Sequence, residues 1–297
     1  MSEPFHKWTG GKRWLVKRYA ALLPSPERLA GHKLIAPFLG GGAVELHLLA
    51  AGCSALLRDG EPRLIHTWQM VRDRPEEVIA ELARIQAVEP YTRESFERMR
   101  VVLNSGKGGA IERAALFLVV LFWGFNGLWR LNGAGGCNVA FGAPSKAGGV
   151  PPRLGDPETI RDASRLLQGV DLRAQDFEAS VAEAGAGDFV FADPPYDPLT
   201  ATACFTGYGR GNWGVSDGPA QGGLFGVAVD PDEQHRLARC LRAAADRGAL
   251  IMTTNHAAER IRRLYHGWEQ VPVEVARTGS CDADRKPVTE IIVRNYR

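Results

Sequence analysis

Two adjacent prolines, Pro194 and Pro195, interrupt the chain directly after the apolar run Phe189, Val190, Phe191, Ala192. Neither has an N–H to give to a sheet ladder, so a strand built from this run ends at or near Asp193. Its carboxyl end then carries an acid, the two prolines and an aromatic ring, Tyr196. In an open α/β sheet that edge is where ligands bind. A carboxylate there accepts one N–H of an exocyclic amine, and the carbonyl of Pro194 accepts the other. Tyr196 offers a face on which a base can stack. The bland alternative is that Asp193 caps a helix or holds a metal.

The front of the chain supplies a matching turn. "HKLIAPFLGGGAVELHLLAAG" (32–52) reads as strand, glycine turn and helix, with the turn at Gly40, Gly41 and Gly42. "SALLRDG" (54–60) reads as a second strand ending at Asp59. Glycines let the backbone approach a ligand closely, and an acid on the next strand can accept from ribose hydroxyls. That logic serves NAD and S-adenosylmethionine alike. The residue three after Gly42 is Glu45, so the spacing is not G-x-G-x-x-G, which weakens the case for a dinucleotide. A tight turn with no ligand is the plain alternative. "KWTGGK", from Lys7 to Lys12, taken alone reads as a turn with solvated charges.

"EEVIAELARIQ" is an amphipathic helix, and a helical arm is expected over 91–103. "AALFLVVLFWGF" is too short to span a membrane and reads as a buried helix. The stretch after it is rich in Gly, Asn and aromatics. Residues 91–157 are therefore expected to form an inserted, mostly helical subdomain with a hairpin-like loop. Residues 1–90 and 158–297 would make the catalytic domain. Strand texture returns at "VDLRAQDF" (170–177), "DFVFADPPY" and "GALIMTTN" (248–255). "VPVEVART" and "VTEIIVRNY" read as a closing antiparallel hairpin. Residues 207–226 are too glycine-rich to pack a core and are expected to be a mobile loop. The fold class is α/β.

A chain of 297 residues suits one large domain or a domain with an insertion. A net charge of +2 neither marks nor excludes a nucleic-acid partner, since a local patch suffices. Cys53, Cys137, Cys204, Cys240 and Cys281 are scattered with no C-x-x-C pair, which argues against disulfides and zinc and fits a reducing cytoplasm. The seven histidines show no ligand spacing, so no metal is expected. No H-x-E…C-x-x-C pattern supports a deaminase, and no Pro-Cys pair supports a cytosine-carbon methyltransferase. The charged, glycine-containing N-terminus does not read as a signal peptide. The basic runs at 13–18 and 259–266 read first as solvated helix faces, with phosphate contact the lesser reading. Cys204 reads as a packing residue.

Taken together and in this order, "KWTGGK", "APFLGGG" and "DPPY" resemble the DNA adenine methyltransferase (Dam) family, the α group of amino-methyltransferases. "FNGLWRLN" (125–132), "CNVAFG" (137–142), "PLTATACFTGY" (198–208) and "RTGSCDADRKPVTEIIV" (277–293) extend the resemblance over nearly the whole chain. It implies a Rossmann-like S-adenosylmethionine-dependent methyltransferase sheet with an inserted, mostly helical DNA-recognition subdomain. Trp8 and Lys12 would contact S-adenosylmethionine, with Phe38, Gly40 and Gly42 near its methionine end. Asp59 would hold the ribose, and Asp176 and Phe177 would cradle the adenine ring. Asp193, Pro194, Pro195 and Tyr196 would form the catalytic motif, taking N6 of an adenine flipped from double-stranded DNA. Lys7 would face DNA, Arg130 would read a guanine, and Asn126 and Leu128 would lie beside it. Arg285 and Lys286 would sit in a loop turned towards DNA.

The resemblance has departures. Ala140 stands where the recognition hairpin has proline, and Ala143 where it has a basic residue, with Lys146 the candidate to compensate. The expected target is GATC or a related short site. A monomer in the cytoplasm, associated with the nucleoid, is the expected state, with a cognate restriction endonuclease a companion such enzymes can have. N4 of cytosine or adenine in RNA stays open as the acceptor. A catalytically silent DNA-binding relative and a NAD-dependent oxidoreductase are the other classes weighed.

Overall fold

The computed structural model describes residues 3–142, 152–196, 233–275 and 288–297. A short helix, α1 (Arg13–Tyr19), precedes β1 (Lys33–Ala36). The glycine turn follows, then α2 (Ala43–Ala50) and β2 (Ser54–Asp59). Four helices come next: α3 (Pro62–Asp73), α4 (Pro75–Val88), α5 (Arg93–Ser105) and α6 (Ala110–Trp123). The chain returns to the sheet through α7 (Pro157–Leu166), β3 (Asp171–Ala174), α8 (Phe177–Ala182) and β4 (Phe189–Ala192). The last part holds α9 (Glu233–Asp246), β5 (Leu250–His256), α10 (Glu259–Leu264), β6 (Glu269–Val275) and β7 (Val288–Arg294).

Local chemistry sets these boundaries. Proline opens α3, α4 and α7, where its missing N–H costs nothing. The side chains of Glu61, Thr92 and Asp156 cap α3, α5 and α7 by accepting backbone N–H groups. Asp176 does the same for α8, accepting from the Glu178 N–H at 2.9 Å. This corrects the reading of residues 170–177 as one strand. Strand β3 stops at Ala174, and Asp176 and Phe177 start a helix.

Among the described residues the strands form one sheet of order β3-β2-β1-β4-β5-β7-β6, with β7 antiparallel to both neighbours. The expected closing hairpin is β6 and β7. In β4 all four side chains are buried, as a central parallel strand requires. Alternation splits them between two cores. Phe189 and Phe191 join Leu34, Met252 and Ile292 on the face covered by α3, α4 and α6. Val190 and Ala192 join Ile35, Ile251 and Ile291 on the face covered by α8, α9 and α10. The architecture is the expected α/β sheet with helices on both faces. The apolar helix α6 is buried in the first of these cores, packed on α3 and α4 as well as on α5.

Strand order reverses between β1 and β4. Connections from β1 run outward through β2 to β3, while β4 and β5 lie on the other side. A crevice opens at the carboxyl ends of strands about such a point. The glycine turn, Asp59 and Asp193 all sit at that edge.

Candidate active site

The glycine turn is held by its neighbours. Gly42 adopts φ +66° and Gly40 φ +46°, a region that side chains rarely adopt. A Cβ at Gly42 would lie 2.5 Å from the Trp68 ring, and one at Gly40 2.8 Å from Trp8 Nε1. The Gly40 N–H donates to Asp59 Oδ2 at 3.0 Å, and the Glu61 N–H donates to Oδ1 at 2.9 Å. Asp59 therefore staples the turn to the start of α3. Burial pushes its carboxyl up to about 6, against these N–H bonds that favour the anion. Each oxygen keeps a second lone pair for a ligand hydroxyl.

On the β4 side, Asp193 follows Ala192, whose partner on β5 is Thr253. The Thr254 hydroxyl donates to Asp193 Oδ1 at 2.6 Å. Lys12 Nζ lies 2.8 Å from the same oxygen and donates to the Gly10 carbonyl at 2.5 Å. That ammonium also stands over the Tyr196 ring, 4.8 Å from its centre. The Tyr196 hydroxyl donates to Glu290 Oε2 at 2.7 Å, and the ring meets His256 edge-on at 4.9 Å. Glu290 is opposite His256 in the β5–β7 ladder, so the sheet register sets this contact. Burial, then the charges of Asp193 and Glu290, hold the Tyr196 hydroxyl well above the usual phenol range. The Pro195 carbonyl accepts from Gln234 Nε2 at 2.9 Å, and Asn255 Nδ2 donates to Gln234 Oε1 at 3.1 Å. The turn after β4 is thus fixed from α9 and β5.

The wall beyond β1 is aromatic. Phe38 and Phe177 lie 5.5 Å apart between ring centres. Arg236 stacks over Phe177 at 4.1 Å and pairs with Asp176, Glu178 and Glu233. Asp176 thus serves as helix cap and ion-pair partner while largely exposed.

Residues 124–142 form the hairpin expected from their composition. Gly124 bridges Phe141, and Leu131 bridges Cys137, both antiparallel. Its anchor is Trp129, which is buried and donates to Glu61 Oε2 at 3.0 Å. Asn104 fixes Cys137 through both backbone groups, at 2.8 and 2.7 Å. Arg130 Nε donates to Asn138 Oδ1 at 2.8 Å, and its NH2 group donates to the Asn138 carbonyl at 3.2 Å. Leu128 is half-buried, and Asn126 is exposed in the left-handed region at φ 53°. The Lys7–Lys12 segment links the hairpin to the sheet edge at Asp193. Thr9 Oγ1 donates to the Asn126 carbonyl at 3.1 Å, and exposed Lys7 stands 5.7 Å over the Phe122 ring.

The structure brings Trp8, Lys12, Gly40, Gly42, Asp59, Asp193 and Tyr196 to one sheet edge, with Phe38 and Phe177 beside it. Lys146, Arg285, Lys286, Cys204, Ala143 and the 207–226 loop lie outside the described residues. Sequence reasoning did not single out Thr254, Glu290, His256, Gln234 or Trp68 as parts of the site. A strand register that no local pattern reveals places the first three. Glu45 was noted only as a spacing residue, although an acid in the first turn of an apolar helix was a signal. It is 2% exposed, and its Oε1 atom has no partner among the described residues. Burial pushes its carboxyl up to about 8, with the Asp193 charge adding to the rise and Lys12 opposing it.

Comparison with known proteins gives a consistent result. Residues 8–279 match the family described as D12 class N6 adenine-specific DNA methyltransferase. The chain is 32% identical to the type II methyltransferase M1.LlaDCHI of Lactococcus lactis subsp. cremoris, over 99% of this chain and 95% of the relative. It is 30% identical to a DNA adenine methylase of Vibrio cholerae, over 97% of this chain and 94% of the relative. It is 29% identical to the type II methyltransferase M.MjaIII of Methanocaldococcus jannaschii, over 99% of both chains.

Proposed function

The chain belongs to the D12 class of N6 adenine-specific DNA methyltransferases, and on that premise we propose that it moves a methyl group from S-adenosylmethionine to N6 of an adenine flipped out of duplex DNA. The observation that carries the reading is the joint placement of Asp193 and Tyr196 beside the glycine turn, at the point where strand order reverses.

The residues present fit S-adenosylmethionine. The Phe38 and Phe177 rings suit an adenine. The spare lone pairs of Asp59 suit ribose hydroxyls. The N–H groups opening α2 suit the methionine carboxylate, and Trp8 closes the turn. When bound there, S-adenosylmethionine supplies an electrophilic methyl group. Asp193 accepts an N–H of the target amine and keeps its lone pair directed at the methyl donor. Thr254, donating to Oδ1, holds that carboxylate still. Tyr196 presents its ring to the base, oriented by Glu290 and His256. The Asp193 carboxylate or water removes the amine proton once the nitrogen has become cationic.

The 91–157 segment would carry target recognition. Arg130 would read guanine O6 and N7, presented by the Asn138 contact that fixes its guanidinium. Asn126 and Leu128 at the hairpin base and Lys7 beside Phe122 would line the DNA-facing side. Lys146, Arg285 and Lys286 keep the same assignment from the sequence. GATC or a related site is the proposed target, and a monomer on double-stranded DNA the proposed state.

The test is incubation with S-adenosylmethionine and unmethylated duplex DNA, digestion to nucleosides and mass spectrometry. N6-methyladenine is the expected product, and sequencing the same DNA gives the site. N4-methylcytosine, or no methylated base, would overturn the reading.

A further inference from the structure

One arginine ties two helices together across the aromatic wall of the site. Arg236 lies in the first turn of α9, and each of its guanidinium nitrogens meets a different carboxylate. Nη1 lies 2.8 Å from Glu233 Oε2, Nε lies 2.9 Å from Glu178 Oε2, and Nη2 bonds to Asp176 Oδ1. The same guanidinium stands over the Phe177 ring, 4.1 Å from its centre. Asp176 and Phe177 open α8, so these contacts fix the start of that helix from α9. An isolated surface ion pair contributes little. Here four contacts converge on one planar group that is 25% exposed. A lysine, with one compact charge, cannot reproduce that fork.

The two donors that reach the Asp176 carboxylate share one oxygen. The Glu178 N–H donates to Oδ1 at 2.9 Å, and Arg236 donates to the same atom. Among the described residues this leaves Oδ2 open to accept, beside the rings of Phe38 and Phe177. An anionic oxygen next to a stacking surface favours a heterocycle that presents an amine N–H. It disfavours one that presents a carbonyl, where acceptor would face acceptor. The base from which Arg236 projects is itself anchored. Gln234, two residues earlier and 1% exposed, donates to the Pro195 carbonyl at 2.9 Å and accepts from Asn255 at 3.1 Å. One helical turn therefore holds the Asp176–Phe177 wall and the turn after β4 in fixed relation.

We propose that Arg236 is a positioning residue for the adenine end of the methyl donor, and that through Asp176 it sets the preference for a 6-amino purine. By engaging Oδ1 it keeps Asp176 in one orientation, with Oδ2 left to accept the 6-amino group. By stacking on Phe177 it keeps that ring in place for the purine. It acts through these two residues and touches none of the reacting atoms, so its effect falls on cofactor affinity and selectivity and not on the methyl-transfer step. The proposal rests on the methyltransferase reading above.

The test compares two ligands that differ at one position of the purine. Wild type, Arg236→Met, Arg236→Lys and Arg161→Met are titrated calorimetrically with S-adenosylhomocysteine and with S-inosylhomocysteine, its 6-oxo counterpart. Arg161 pairs with Glu76 and Glu158 away from the sheet edge and serves as the control. Wild type is expected to prefer the adenosyl form. Arg236→Met should bind that form about tenfold more weakly, the effect of one hydrogen bond lost, and should lose most of the preference. Arg236→Lys should fall between, Arg161→Met should match wild type, and the methylation rate of Arg236→Met at saturating S-adenosylmethionine should be largely kept. In a wild type that methylates DNA, three results would overturn the role of Arg236 alone: equal binding of both forms by wild type, an unchanged preference in Arg236→Met, or a loss equal for both ligands. Should Arg236→Met fail to fold, an unchanged preference in Arg236→Lys would overturn it instead. A wild type that binds neither ligand and methylates no DNA would overturn the methyltransferase reading and the role of Arg236 with it.

Discussion

The edge at Asp193 and the hairpin at Arg130 are built in opposite ways. Three of the five buried side-chain polar atoms that have no partner among the described residues lie near the edge: both ring nitrogens of His6, which packs on Trp8 and Trp68 beside the glycine turn, and Glu45 Oε1; the other two are Thr253 Oγ1 and the Tyr265 hydroxyl. Carboxyl groups there are pushed up by burial, to about 8 at Glu45 and about 6 at Asp59. At the hairpin, polar side chains are consumed by the protein itself. Asn104 takes both backbone groups of Cys137, Asn132 takes the N–H groups of Ala134 and Gly136, and Glu61 takes Trp129 and Arg63. A surface that reads a fixed shape gains from being saturated and rigid. A site that exchanges ligands and protons keeps unspent hydrogen-bonding capacity.

The largest expected effect is at the edge. Asp193→Asn keeps the shape and removes the anion, and should lower the methylation rate about a hundred- to ten-thousand-fold with duplex affinity largely kept. Single-turnover formation of methylated base measures the first, and fluorescence anisotropy the second. A loss of affinity equal to the loss of rate would erase the contrast between the two regions.

Next comes the turn. Gly42→Ala forces a Cβ to within 2.5 Å of Trp68 at φ +66°. It should cost about 1–3 kcal/mol in denaturant unfolding. Gly10→Ala, at φ +84° but with open space around it, should cost about 1 kcal/mol. Equal losses would mean that Trp68 yields and does not clamp the turn.

For the hairpin, Glu61→Gln leaves Trp129 Nε1 an acceptor but discharges the Arg63 pair. Glu61→Ala removes both and should cost about 1–3 kcal/mol more than a surface substitution. Faster proteolysis between residues 124 and 142, with α6 still protected, would place the damage in the hairpin. Uniform loss of protection would show that the hairpin is part of the core.

The smallest effect is a pH slope. Removal from water holds the His6 ring down to about 3, below its ordinary 6.5. The unfolded chain takes up that proton first, so His6 lowers stability as pH falls below about 6.5, by up to about 1.4 kcal/mol per unit. Glu45 works in the opposite sense. Its folded carboxyl binds a proton before the unfolded one, so it raises stability as pH falls from about 8 towards 4.5. The reading is therefore the difference between wild type and His6→Leu. Urea unfolding at pH 7 and pH 5 should show the variant gaining on wild type at pH 5. An unchanged difference would mean that His6 titrates freely.

Much of the sheet was legible because its signals are local. Short apolar runs, glycine and the Pro194–Pro195 stop mark β1, β2, β4 and β5 without knowledge of neighbours. The residues 170–177 were misread because an N-cap aspartate followed by Phe177 looks like the end of an apolar strand until the Glu178 N–H is seen to turn onto Asp176. At the site, Asp193, Tyr196 and the glycine turn declare themselves through motif chemistry. Thr254 and Glu290 do not. Thr254 reaches Asp193 because Ala192 pairs with Thr253, and Glu290 reaches Tyr196 because it pairs with His256. Those facts belong to strand register, which brings together side chains 61 and 94 residues apart and which no single stretch encodes.

The most direct test of the division between the two regions is one sequencing map of N6-methyladenine on the same unmethylated genomic DNA, made with wild type, Asp193→Asn and Arg130→Ala. The account predicts one short site for wild type, almost no signal for Asp193→Asn, and methylation spread over sites differing at one base pair for Arg130→Ala. An Asp193→Asn map matching wild type, or an Arg130→Ala map that keeps the site and only fades, would contradict it.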